Sequence, residues 1–98
     1  MVWTFSLTGK IERLVKGLEK RQKALLESYK EQIGIFLQDP LAGSVLKGDL
    51  SGYKCWDWTF RGVSLCIVYK VFEGDKHIII CYFGTRENFY EEVKSYLK

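Results

Sequence analysis

Apolar and polar residues alternate where the chain begins. In "VWTFSL", Trp3, Phe5 and Leu7 fall on one side of an extended backbone, with Thr4 and Ser6 on the other. This period of two predicts a half-buried strand. Thr8-Gly9 interrupts it, and Thr8 carries a hydroxyl able to cap whatever follows. From Lys10 the period lengthens: Ile11, Leu14, Val15 and Leu18 recur at helical spacing, opposite Lys10, Glu12, Arg13 and Lys16. After the polar stretch "EKRQK" comes a second stripe of Leu26, Tyr29, Ile33, Phe36 and Leu37. The two stripes do not share a phase, and Gly17 weakens the first helix near its end. A helical hairpin is therefore favoured over one long bent helix. Asp39-Pro40 stops the second helix, because proline disfavours helical backbone at the residue before it.

"LAGSVLKGDLSG" is glycine-rich and predicts a loop. Beyond it lie "YKCWDWTF", a turn at Arg61-Gly62, "VSLCIVYKVF", a second turn at "EGDK", and "HIIICYF". Tight turns between β-rich runs predict an antiparallel meander. The run Ile78, Ile79, Ile80 predicts a central strand covered on both faces. After Gly84, Phe89, Val93 and Leu97 are spaced for one face of a short helix. The predicted order is β–α–α–β–β–β–α, an α+β fold. It has an N-terminal strand, a helical hairpin, a three-stranded antiparallel meander completing a four-stranded sheet, and a short C-terminal helix. The hairpin buries its stripes on one sheet face.

Composition adds little to this picture but excludes several function classes. With 98 residues the chain suits one domain, 1–98, and its 15% aromatic content supplies core area. The net charge of +3 is mildly basic, compatible with a polyanionic partner only if the cations cluster. Cys55, Cys66 and Cys81 form no disulfide framework and read as small buried hydrophobes in a reducing compartment. With His77 the only histidine and no Cys-x-x-Cys, no zinc site is expected. No phosphate-binding glycine loop, nucleophile elbow or metal-ligand helix motif is present, so no cofactor is expected and any catalysis should be metal-free. "MVWTFSLTGK" does not read as a secretory leader, and no apolar run approaches the roughly 20 residues of a membrane helix, so a cytoplasmic protein is expected.

Two stretches carry candidate chemistry. In "CYFGTRENFYEEVKSYLK", Arg86 follows the last strand and Gly84, where it could grip a phosphate with paired hydrogen bonds or make a surface ion pair with Glu87 or Glu91. Tyr90 lies one helical turn on, placed to stack on a base, relay a proton, or pack between helix and sheet. In "GYKCWDWTFRG", Lys54, Trp56, Trp58 and Phe60 share one strand face. The tryptophans are core, or a stacking platform for nucleotides with Lys54 or Arg61 on phosphates. Asp57 is a general base if burial raises its pKa, or an edge-strand charge that discourages aggregation. RNA cleavage by its own 2′-hydroxyl needs only cations and a proton carrier, which this set can supply.

The whole chain resembles the RelE/ParE superfamily of toxins from type II toxin–antitoxin modules. The resemblance rests on "LQDPLAG", "LKGDLSGYKCW", "RGVSLCIVYKV" and "GTRENFYEEVKSYL", in the element order above. It implies a toxin neutralised by a cognate antitoxin wrapped around it. The RelE branch consists largely of ribosome-dependent mRNA endonucleases; the ParE branch poisons DNA gyrase. By resemblance Arg86 stabilises the scissile phosphate, Tyr90 orients the nucleotide or aids proton transfer, and Lys54 or Arg61 supplies strand-borne charge. Lys54, Trp56, Arg61 and Arg86 would then contact RNA. The resemblance implies Tyr-Arg or a similar basic residue, usual in the family, where this chain has Leu65-Cys66. That departure keeps a second expectation open, a non-nuclease relative that inhibits gyrase or only binds an antitoxin.

Overall fold

The computed structural model describes residues 3–46 and 52–85. Strand β1 (Thr4–Leu7) leads into helices α1 (Gly9–Arg21) and α2 (Lys23–Phe36). A short 3-10 turn over Pro40–Ala42 precedes β2 (Ser44–Val45), β3 (Tyr53–Phe60), β4 (Val63–Phe72) and β5 (His77–Thr85). The predicted C-terminal helix, with Phe89, Val93 and Leu97, lies outside the described residues.

Each boundary has a local cause. The Thr8 hydroxyl accepts the Ile11 N–H and caps α1. Gln22, at φ −143, breaks the helical path and joins α1 to α2 through a single residue. The α2 C-terminus precedes Asp39-Pro40, where the chain turns back toward the sheet.

The sheet order is β1-β5-β4-β3-β2, with β1 parallel to β5 and the other pairs antiparallel. It has five strands rather than the four expected. Part of the glycine-rich loop pairs after all, Ser44 with Cys55 and Val45 with Lys54. A strand of two residues is too short to show alternation, so its pairing is decided by the adjoining edge of β3 rather than by its own pattern. On the opposite edge, the ring nitrogens of His77 are hydrogen-bonded to the hydroxyls of Thr4, at 2.7 Å, and Ser6, at 3.0 Å, which ties β1 to β5.

Both helices cover one face of the sheet. Ile11, Tyr29, Ile33 and Phe36 from the helices pack on Ile67, Tyr69, Ile78, Ile80 and Phe83 from the strands. Two stacked ring pairs bridge the layers: Tyr29 on Phe83 at 4.2 Å, and Phe36 on Tyr69 at 4.7 Å. A smaller cluster, Leu46, Cys55, Cys66, Val68 and Tyr82, occupies the other face. The register of β4 against β5 slips at Val68/Tyr69, so Cys81 is an extra residue in β5. The bulge reverses alternation, letting Phe83 join Ile78 and Ile80 while Tyr82 turns away. The isoleucine run is therefore not buried throughout: Ile78 and Ile80 are fully buried, whereas Ile79 is half-buried. All three cysteines are buried and none is in a disulfide. No described helix is long and apolar enough to cross a membrane.

Candidate functional site: a cationic cleft at the hairpin tip

The turn joining β3 to β4 has only two residues, with Phe60 paired to Val63. Arg61 and Gly62 both have positive φ, 50 and 82. This is the geometry that matches the right-handed twist of the flanking strands, normally filled by Asn-Gly or Gly-Gly. A side chain in the left-handed region is strained, and such strain persists where the surrounding structure and function hold it. The guanidinium of Arg61 lies over the Phe60 ring, 5.0 Å from its centroid, which fixes its direction.

β5 ends with Thr85 opposite Leu65, so the hairpin tip runs on beyond it toward the α1–α2 elbow. Between tip and elbow is a cleft of about 560 Å³. Phe60, Val63 and Leu65 supply apolar wall, and Arg21, Lys23 and Arg61 supply charge. Among the described residues the cleft has no acidic lining residue, and none of the three cations is in an ion pair. α2 begins at this wall without a capping hydrogen bond from the Gln22 side chain and without an acid in its first turn. Its N-terminal amides add positive potential to that of the side chains. An apolar wall beside clustered cations suits a ligand that pairs a flat ring with an anionic group.

The predicted site residues divide. Arg61 is at the cleft. Arg86 and Tyr90 lie outside the described residues. Lys54 is on the other end of β3, paired with Tyr69 and Val45. Six strand residues, Cys55 to Phe60, separate it from Arg61, a span of about 23 Å, so the two cannot grip the same phosphate. Trp56 and Trp58 face α2. Their indole N–H groups donate to Gln32 Oε1 and Ser28 Oγ, both at 2.9 Å, while the rings pack near Phe36 and Tyr29. Of the two readings of the tryptophans, this geometry favours core: Trp56 belongs to the seam between helix and sheet, with its ring half-buried there. Asp57 is exposed on the stretch of β3 beyond its pairing with β2, where a charge discourages edge-to-edge association. Arg21 and Lys23 were missed in the sequence reading. The signal was present, since Lys20, Arg21 and Lys23 crowd around Gln22, but a polar linker between two helices has the same composition.

The sequence matches the family profile of the ParE-like toxin of type II bacterial toxin–antitoxin systems over residues 6–94. The chain belongs to that family. A comparison with curated proteins gives no match. Among solved structures, the RelBE2 toxin–antitoxin complex from Mycobacterium tuberculosis is similar with a TM-score of 0.68 and 20% identity, over 88% of this chain and 93% of that one. A free-state mutant of the E. coli toxin RelE is similar at TM-score 0.65 and 20% identity, over 97% of this chain and 93% of that one. The isolated E. coli RelE toxin gives 0.58 and 18%, over 98% and 99%. This ParE-like toxin thus has the RelE fold, two helices on a mixed sheet.

Proposed function

We propose that this toxin halts translation by cutting mRNA on the ribosome, with the scissile phosphate held at the hairpin-tip cleft. The observation that carries the reading is the group of three cations, Arg21, Lys23 and Arg61, on one cleft that has no acidic lining residue among those described. A phosphodiester gains charge as it becomes five-coordinate, and fixed cations favour that state over the ground state. The nucleophile in this scheme is the adjacent 2′-hydroxyl. Its proton passes to a base, its oxygen bonds to phosphorus, and the 5′-oxygen leaves with a proton, giving a 2′,3′-cyclic phosphate end. Arg86 is assigned to the phosphate beside Arg61, and Tyr90 to the base or the proton. Lys54, too distant for the reacting phosphate, is assigned to an outlying one. A cognate antitoxin is the proposed regulator, by likeness to the RelBE2 complex.

Inducible expression followed by mapping of transcript ends tests the scheme. Wild-type protein is expected to arrest growth and leave cut mRNA, and Arg61→Ala and Arg86→Ala to abolish both. Arrest that persists unchanged in both variants would refute the assignment.

A second reading, a relative that acts by binding alone on DNA gyrase or an antitoxin, is favoured by Cys66. This thiol is fully buried, with Val68 and Tyr82 in its cluster, and supplies no charge where the resemblance implies a cation. It predicts DNA damage or no arrest, with transcripts intact.

A further inference from the structure

A second hollow, of about 290 Å³, lies along α1 and is lined by Arg13, Leu14, Gly17, Leu18, Arg21 and Gln22. It shares Arg21 and Gln22 with the hairpin-tip cleft, so the two adjoin at the elbow. We propose that they form one groove that holds the backbone of a single RNA strand, from Arg61 across the elbow and along α1 to Arg13. The inference rests on the nucleic-acid reading of the cleft and extends it from one phosphate to several.

Arg13, Gly17 and Arg21 follow one another at intervals of four, so they lie along one side of α1. The two arginines are about 12 Å apart along the helix axis, which addresses separate phosphates rather than one. Glu12 and Glu19 lie on the far flank of the same helix, beyond the buried stripe that begins at Ile11. Among the described residues Arg13 and Arg21 are in no ion pair. Gly17 weakens the helix, yet a Cβ there would meet nothing within 4 Å. No close packing requires glycine at this position. Its effect is to leave open the space between two arginines. The groove bends around the elbow, a path that suits a flexible single strand and is denied to a duplex, which is stiff over many times this length.

The test uses purified toxin and a labelled single-stranded oligonucleotide of 2′-O-methyl RNA. It lacks the hydroxyl needed for self-cleavage, so binding is read apart from cutting. Fluorescence anisotropy is followed across a salt series. Each phosphate contact contributes about 0.7 to the slope of log affinity against log salt for a single strand. Arg13→Gln is expected to lower the slope by about that amount, and Arg13→Gln with Arg21→Gln by about twice as much. Gly17→Gln is a better helix former that fills the hollow, and should weaken binding about tenfold while raising the melting temperature. Wild-type affinity and slope in Arg13→Gln and in Gly17→Gln would overturn the groove, as would tighter binding to a DNA duplex of equal length. Intact binding by a toxin that cuts no transcript would refute the nuclease scheme and leave the groove standing.

Discussion

The phenol of Tyr69 donates a 2.7 Å hydrogen bond to the carbonyl oxygen of Pro40, tying a central strand to the turn that ends α2. Tyr69→Phe removes the donor and leaves that carbonyl without it, at an expected cost of about 1–2 kcal/mol in denaturant unfolding. The same residue makes the protein sensitive to alkali. Burial pushes the Tyr69 hydroxyl up to about 12, against a smaller downward pull from the Gly43 backbone. Burial likewise pushes the Cys81 thiol up to about 11, with Lys70 pulling the other way. Above their ordinary values the unfolded chain gives up these protons while the folded chain keeps them, so stability falls as pH rises. The loss should begin near pH 9 with Cys81 and continue toward 12 with Tyr69. Melting curves of Tyr69→Phe should retain the loss between pH 9 and about 11 and lack its continuation toward 12.

Gly43 passes against the same phenol. A Cβ there would fall on the Tyr69 hydroxyl and lie 3.2 Å from the Cys55 carbonyl oxygen. Gly43→Ala should destabilise the fold by about 1–3 kcal/mol, the range for overpacked sites. At Gly74 a Cβ meets nothing within 4 Å, and Gly74→Ala should be close to neutral in the same unfolding experiment.

Arg61 sets stability against activity. Its left-handed backbone is strained for an arginine and comfortable for asparagine. Arg61→Asn is therefore expected to raise stability by about 1 kcal/mol while reducing toxicity and RNA affinity. Thermal melts and growth curves on the same variant check both directions. A variant that is less stable, or fully toxic, contradicts this account of the turn.

Trp56→Ala should weaken the protein by about 3 kcal/mol, since the ring packs near Phe36 and its N–H is bonded to Gln32. At temperatures where the variant is folded, its RNA affinity should match wild type. A selective loss of affinity without loss of stability would return the indole to the binding surface.

Much of the architecture is legible in local patterns. Ile11 to Leu18 and Leu26 to Phe36 announce two helices by period, Pro40 ends the second, and Arg61-Gly62 marks the hairpin turn. What escaped depends on partners remote in sequence. Ser44 and Val45 are a strand only because β3 offers an edge beside them. Cys81 is a bulge only in relation to β4. The site was legible in kind but not in membership. Reading "GYKCWDWTFRG" as one surface merged Lys54 with Arg61, although an extended backbone carries them to opposite ends of the sheet. Arg21 and Lys23 looked like linker because their role depends on a fold that brings the elbow to the hairpin tip.

The pairing of Thr4 with His77 joins positions 73 apart in the chain. A contact spanning so much chain carries a large loop-closure cost and favours slow, late assembly. While the polypeptide is being made, β1 has no strand to pair with until β5 has followed it out. A nascent toxin is thus an open-edged intermediate for most of its synthesis, and anything that seizes that edge early competes with maturation itself.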